Sequence, residues 1–141
     1  MFKEALEDWV LGYLSECTPE HNNYPRCPYA KKALLDNKVR IDEAESQDEF
    51  WNMLEWYLDN WDDDTCEAVV INLSWLFNPN DRIRICDLCT SYYSSKGDWI
   101  FIEEQQLLNG KIYHMILVHR FSTMAVAKRQ LRKKGYYQDN A

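Results

Sequence analysis

Glycine and proline are scarce, with four of each in 141 residues. Little linker material is present, so the expectation is one domain over residues 1–141. No apolar run reaches the roughly 18 residues that a membrane span needs. The first turns carry Lys3, Glu4, Glu7 and Asp8, followed by Glu16. A secretion signal has a basic start and an apolar stretch, and this segment has neither. The chain is therefore expected to be made and kept in the cytoplasm, with no membrane partner. Internal repeats, low-complexity tracts, a P-loop and a glycine-rich phosphate fingerprint are missing. No Ser-His-Asp order and no EF-hand spacing is found either.

Histidine is also sparse: His21, His114 and His119. The last two are five residues apart on one predicted strand, so they face opposite sides and do not share a ligand. The five cysteines are odd in number in a chain without a signal. Free thiols are expected rather than a disulfide framework.

What is abundant is apolar and charged. Hydrophobic residues make up 46% and charged residues 28%, with six Trp and nine Tyr. Such a chain can bury a real core without staples. The net charge of −7 is unevenly placed. Asp42 to Glu67 holds eleven acids and no Lys or Arg, while Arg120 to Lys134 holds six bases and no acid. Either the two segments pair internally, or the molecule carries two faces of opposite potential. The overall negative charge argues against nucleic acid as a partner.

The apolar spacing predicts an amphipathic helix from Phe2 to Cys17. Residues 18–28 read as a loop, and Pro28 opens a short helix through Leu35. Lys38 to Asp42 reads as a strand. Ser46 and Glu49 form an S-x-x-E cap for a helix with Phe50, Met53, Leu54, Tyr57, Leu58 and Trp61 on one face. It ends in an acidic loop, Asp62 to Asp64. Cys66 to Leu73 reads as a strand buried on both faces. A helix starts at Asn78-Pro79, carries Ile83, Ile85, Cys86, Leu88, Cys89, Tyr92 and Tyr93, and is closed by Gly97. Asn109-Gly110 predicts a hairpin that sets Phe101 opposite Val118 and Trp99 opposite Arg120, a cation–π pair. Ser122 caps a last helix to about Lys134, with Gly135 as its stop. The order implies an α+β fold: a single mixed or antiparallel sheet of about four strands with helices packed on it, ending in the hairpin and a helix.

Three sets of residues are candidates for chemistry or binding. Cys86-Asp87-Leu88-Cys89 is a CxxC placed within a helix rather than at its start. Two buried core thiols are the expected reading; zinc would need Cys17 and Cys27 as further ligands. Cys27 precedes a Pro-initiated helix, where free N–H groups and the positive charges of Arg26, Lys31 and Lys32 favour a thiolate, with His21 nearby. It is the best nucleophile or axial-ligand position. The third set is the acidic surface with Trp51, Trp56, Trp61, Asp62, Asp63 and Asp64, set against Arg129, Arg132 and Lys133 of the basic helix.

Cys27-Pro28-Tyr29 resembles the first half of a glutaredoxin site, with Ala30 where the second Cys would stand and no strand ahead of Cys27. A second resemblance rests on Trp9, Cys27, Pro28, Ala30 and the strand Val39 to Ile41. It is similar to uncharacterised proteins with a Cys-Pro-Phe-Ala segment after an N-terminal helix: the YqcI/YcgG-like group, which includes haem-dependent oxygenases, and small hypothetical proteins of marine bacterial viruses. It covers about 30 residues, and the chain is short for an oxygenase. The resemblance implies haem or another metal held by the Cys27 thiol. From the residues alone, the leading expectation is a cofactor-free binding or regulatory module that meets a protein partner or a second copy through its charged faces. The alternative is a thiol-ligated haem or metal protein, or a thiol enzyme, centred on Cys27.

Overall fold

The computed structural model describes residues 2–14, 17–18, 24–25 and 30–135. Helix α1 (Phe2–Trp9) buries Phe2, Ala5 and Leu6, the start of the expected stripe. The α-helix stops there, and Val10–Leu14 form a wider π-helical turn. Spacing by three and four does not distinguish the two ladders, and Gly12 inside the segment weakens the α-helix. Cys17 is not helical. Strand β1 (Cys17–Thr18) pairs antiparallel with β2 (Tyr24–Pro25). Part of the expected loop is thus a two-residue ladder, too short to show an alternating pattern, and a strand does precede Cys27.

Helix α2 (Ala30–Leu35) leads through Asn37, at φ 58°, into β3 (Val39–Ala44). In α3 (Gln47–Asp59), the Ser46 side chain accepts a hydrogen bond from the Glu49 N–H, and Phe50 and Leu54 are buried. Strand β4 (Ala68–Leu73) is buried at all six positions, as the unbroken apolar run demands. Asn78 caps α4 (Pro79–Tyr93), and Ser94 ends it. Gly97 lies beyond that helix, in the turn before β5, at φ 148°. A Cβ there would sit 2.9 Å from the Trp99 indole nitrogen, so close approach adds to the dihedral requirement. Ile83 and Tyr92 of the predicted stripe are exposed, while Arg82 is buried in their stead.

Strands β5 (Trp99–Leu108) and β6 (Lys111–Arg120) turn at Asn109-Gly110, with φ of 53° and 82°. Positive φ at both positions makes the two-residue turn that matches the strand twist. The register is as expected: Phe101 opposite Val118, Trp99 opposite Arg120. The Arg120 guanidinium lies 4.9 Å from the Trp99 ring. Helix α5 (Phe121–Lys133) follows directly, and Gly135 stands beyond it at φ 78°. Ser122 is not its cap. It falls inside the helix, and the Asp98 carboxylate, at the foot of β5, accepts the Ser122 N–H at 3.0 Å. A cap supplied across the sheet leaves no local sequence signature.

The fold is α+β. One mixed four-stranded sheet has the order β3-β4-β6-β5, with β3 and β4 parallel and the other pairs antiparallel. Residues in register share a face. Ala44, Val69, Ile71, Phe101, Ile116 and Val118 meet α3 and α4 through Phe50, Leu54, Ile85, Cys86 and Cys89. On the other face Val70, Leu108, Tyr113 and Met115 meet α1 through Phe2, Ala5 and Leu6. Covering both faces with helices is what buries β4 on both sides.

Candidate functional site

Cys27, Arg26 and His21 lie outside the described residues, as does the side chain of Cys17. Lys31 and Lys32 are exposed on α2, and Lys32 pairs with Asp36 at 2.9 Å. Cys86 and Cys89 share one helix face and are buried, as expected. Burial pushes both thiols up, Cys89 to about 12, which disfavours the thiolate that metals and electrophiles require. No group of three or more His, Cys, Asp or Glu able to hold a metal ion occurs among the described residues.

The three candidate tryptophans have different surroundings. Trp51 packs edge-on to Phe50 and Tyr92, ring centroids 5.1 and 5.8 Å away, and so joins α3 to α4. Trp61 stacks edge-on to Trp99 at 5.1 Å. Trp56 is 61% exposed. On a helix, positions three and four apart are neighbours. The outer face of α3 therefore surrounds Trp56 with Asn52, Asp59 and Asn60, beside Glu55, and Asp48 and Glu49 lie one turn further along. Asp48, Glu49, Glu55 and Asp59 are all exposed.

Of the eleven carboxylates in Asp42–Glu67, only Glu67 forms an ion pair among the described residues, with Lys38 at 3.9 Å. Asp42 accepts the Tyr57 hydroxyl at 2.9 Å, and Glu43 accepts the Asn72 amide at 3.0 Å. In the acidic loop, Asp62 accepts the Asp64 N–H and Asp63 accepts the Trp61 indole N–H, each at 2.9 Å. Those two carboxylates shape the turn as well as charging it. Arg129, Arg132 and Lys133 are exposed on α5.

A second polar cluster, unforeseen from the sequence, lies under the first turn of α4. Arg82 is 7% exposed. Its Nε donates to Glu103, and its Nη1 donates to Gln105 Oε1 at 3.0 Å and to His114 Nδ1 at 2.7 Å. Arginine only donates, so Nδ1 of His114 is the acceptor and the proton sits on Nε2. Burial first, then the Arg82 charge, lowers the His114 pKa. An imidazole held neutral with Nδ1 occupied is not a general base at that atom. The cluster reads as a satisfied buried ion pair that fixes α4 on the sheet. The signal was available: 82, 85, 86 and 89 are helically spaced, and hairpin register puts Glu103, Gln105 and His114 on the face of Phe101 and Val118.

A cleft of about 330 Å³ opens beside β3, lined by Lys3, Glu7, Arg40 and Tyr57. Arg40 is committed to the carbonyls of Asn37 and Thr65, at 2.7 and 2.9 Å. Burial, then the hydrogen bond to Asp42, raises the Tyr57 phenol to about 12. Tyr57 is not poised for proton transfer near neutral pH. No helix among the described residues is long and apolar enough to cross a membrane. No family model, no curated protein and no solved structure matches the chain.

Proposed function

We propose that the chain is a binding or regulatory module whose acidic α3 surface docks a basic segment of a protein partner, with the basic α5 as the opposite pole. One observation carries this reading. Trp56, a large exposed aromatic, stands in the middle of a helix face whose carboxylates form no ion pair among the described residues. Aromatics flanked by complementary charge are the usual centres of interfaces, and charge of one sign speeds encounter with the opposite sign. A buried core does not require Trp at this position, because the packing work on α3 is done by Phe50, Leu54 and Trp51.

The test uses a defined probe, a short amphipathic helical peptide of Lys and Leu. Binding should shift the tryptophan emission of the native chain to the blue, and Trp56→Phe should remove most of that shift. Affinity should fall at least tenfold when salt shortens the Debye length from roughly 10 Å to 3 Å. An unchanged emission spectrum, or equal binding by a Glu49→Gln, Glu55→Gln, Asp59→Asn variant, would overturn the reading.

A further inference from the structure

Strand β6 outruns its neighbour β4. The β4–β6 ladder ends at Asn72 opposite Met115, whereas β5 stays paired as far as Leu108 opposite Lys111. Past Leu73 the chain leaves this side of the sheet. The Ser74 N–H bonds to the Ala44 carbonyl of β3 at 2.9 Å, and the Leu76 N–H turns back to Leu73 at 3.1 Å. Lys111 to Tyr113 thus present an edge that no strand among the described residues covers on the β4 side. In a two-residue hairpin the closing pair exchanges its hydrogen bonds, so alternate residues aim their main chain away from β5. Those residues are Ile112 and His114.

A groove of about 210 Å³ follows this edge, between β6 and the loop after β4. One rim is apolar, with Phe77 89% and Ile112 54% exposed. Leu107, opposite Ile112, is also exposed. The reason is the position of α4, whose first turn reaches Gln105 and His114 through Arg82. No described helix covers the next cross-strand pair. Among the described residues Lys111 is the one Lys or Arg lining the groove, and no described Asp or Glu lines it, in a chain of net charge −7.

We propose that this edge docks an extended segment of a partner protein in which a large apolar residue stands directly beside an acidic one. The segment adds as a strand along Lys111–His114, spanning about 13 Å. Its main chain pairs with Ile112 and with the N–H of His114, whose carbonyl already closes the Asn72–Met115 pair. Successive strand residues face opposite sides, as Lys111 and Ile112 do, so neighbouring apolar and acidic side chains meet Ile112 with Phe77 on one face and Lys111 on the other. The site is separate from the acidic surface of α3 and does not depend on it.

A display library of random peptides, selected on the whole chain, tests this. The expected result is enrichment of an acid next to Leu, Ile or Phe, and protection of the Ile112 amide from hydrogen exchange in the complex. The best peptide should bind roughly tenfold more weakly to Lys111→Glu, and several-fold more weakly to Phe77→Ala. Ile112→Pro removes a groove-facing N–H without removing a β5–β6 bond, and should abolish binding. The two exposed-residue variants carry the test should the proline variant unfold. Trp56→Phe should bind the peptide as the native chain does. Selection without the acid–apolar pair, or a peptide that binds Lys111→Glu and Phe77→Ala unchanged, would overturn the proposal.

Discussion

His114 is kept neutral by burial and by the Arg82 guanidinium. The unfolded chain binds a proton near the usual 6.5, and the folded chain resists it to lower pH. In that window the unfolded state holds more protons, so stability falls as pH drops below about 6.5. His119, lowered by burial, acts in the same direction. His114→Gln keeps an acceptor for Arg82 and removes the titration, so its unfolding temperature should depend less on pH between 7 and 5 than that of the native chain. An identical pH profile would count against this account. Asp98 is the other residue with a distinct role, since it caps α5 across the sheet and meets Arg120 at 2.6 Å. Asp98→Ala should cost about 1 kcal/mol, the usual value of a lost cap, measured by denaturant unfolding. Ser122→Ala keeps the N–H that Asp98 accepts and should cost less. At this scale the sequence was half legible. Hairpin parity located the Trp99–Arg120 pair, but a cap reached through tertiary contact and an arginine on an apolar stripe follow from packing that no local window contains.

At the scale of elements, periodicity served best where an element is long and one face is dry. α3, β4 and the hairpin were legible for that reason, and the Ser46 and Asn78 caps were readable from residue type. Beyond Trp9 a π-helical turn preserves the same spacing, so the apolar pattern outruns α1, and the β1–β2 ladder has no pattern to find. In α4, Cys86 and Cys89 lie on the packed face, with thiols pushed up by burial. Both should resist iodoacetamide in the native protein at mildly alkaline pH and react at normal thiol rates in denaturant, with mass spectrometry of digests as the measurement. Rapid native labelling of Cys89 would show that α4 opens locally. The acidic surface was visible as composition, yet which of Trp51, Trp56 and Trp61 stays open depends on where α4 and β5 fall, and the sequence does not contain that placement in readable form.

For the whole molecule, the opposed charges of the α3 and α5 surfaces matter more for encounter than for stability, because exposed pairs contribute only about 0–1 kcal/mol each. Replacing Asp62, Asp63 and Asp64 together with Asn leaves acceptor oxygens for the Asp64 N–H and the Trp61 indole. Stability should then change by no more than about 0.5 kcal/mol, while affinity for a basic probe falls. A large loss of stability would mark these carboxylates as structural. The placement of β6 between a partner adjacent in sequence and one far earlier in the chain has a further consequence, in time rather than in space. A hairpin closes within about 1–10 μs, whereas joining β4 to β6 must first close a loop that contains the whole of α4. The turn at Asn109-Gly110 should therefore be formed at the rate-limiting step and β4 still arriving. Gly110→Ala, strained at its φ of 82°, should slow refolding by nearly its full equilibrium cost. Ile71→Val should instead act mainly on unfolding, and chevron plots giving the two sites equal fractions would reverse that order of assembly.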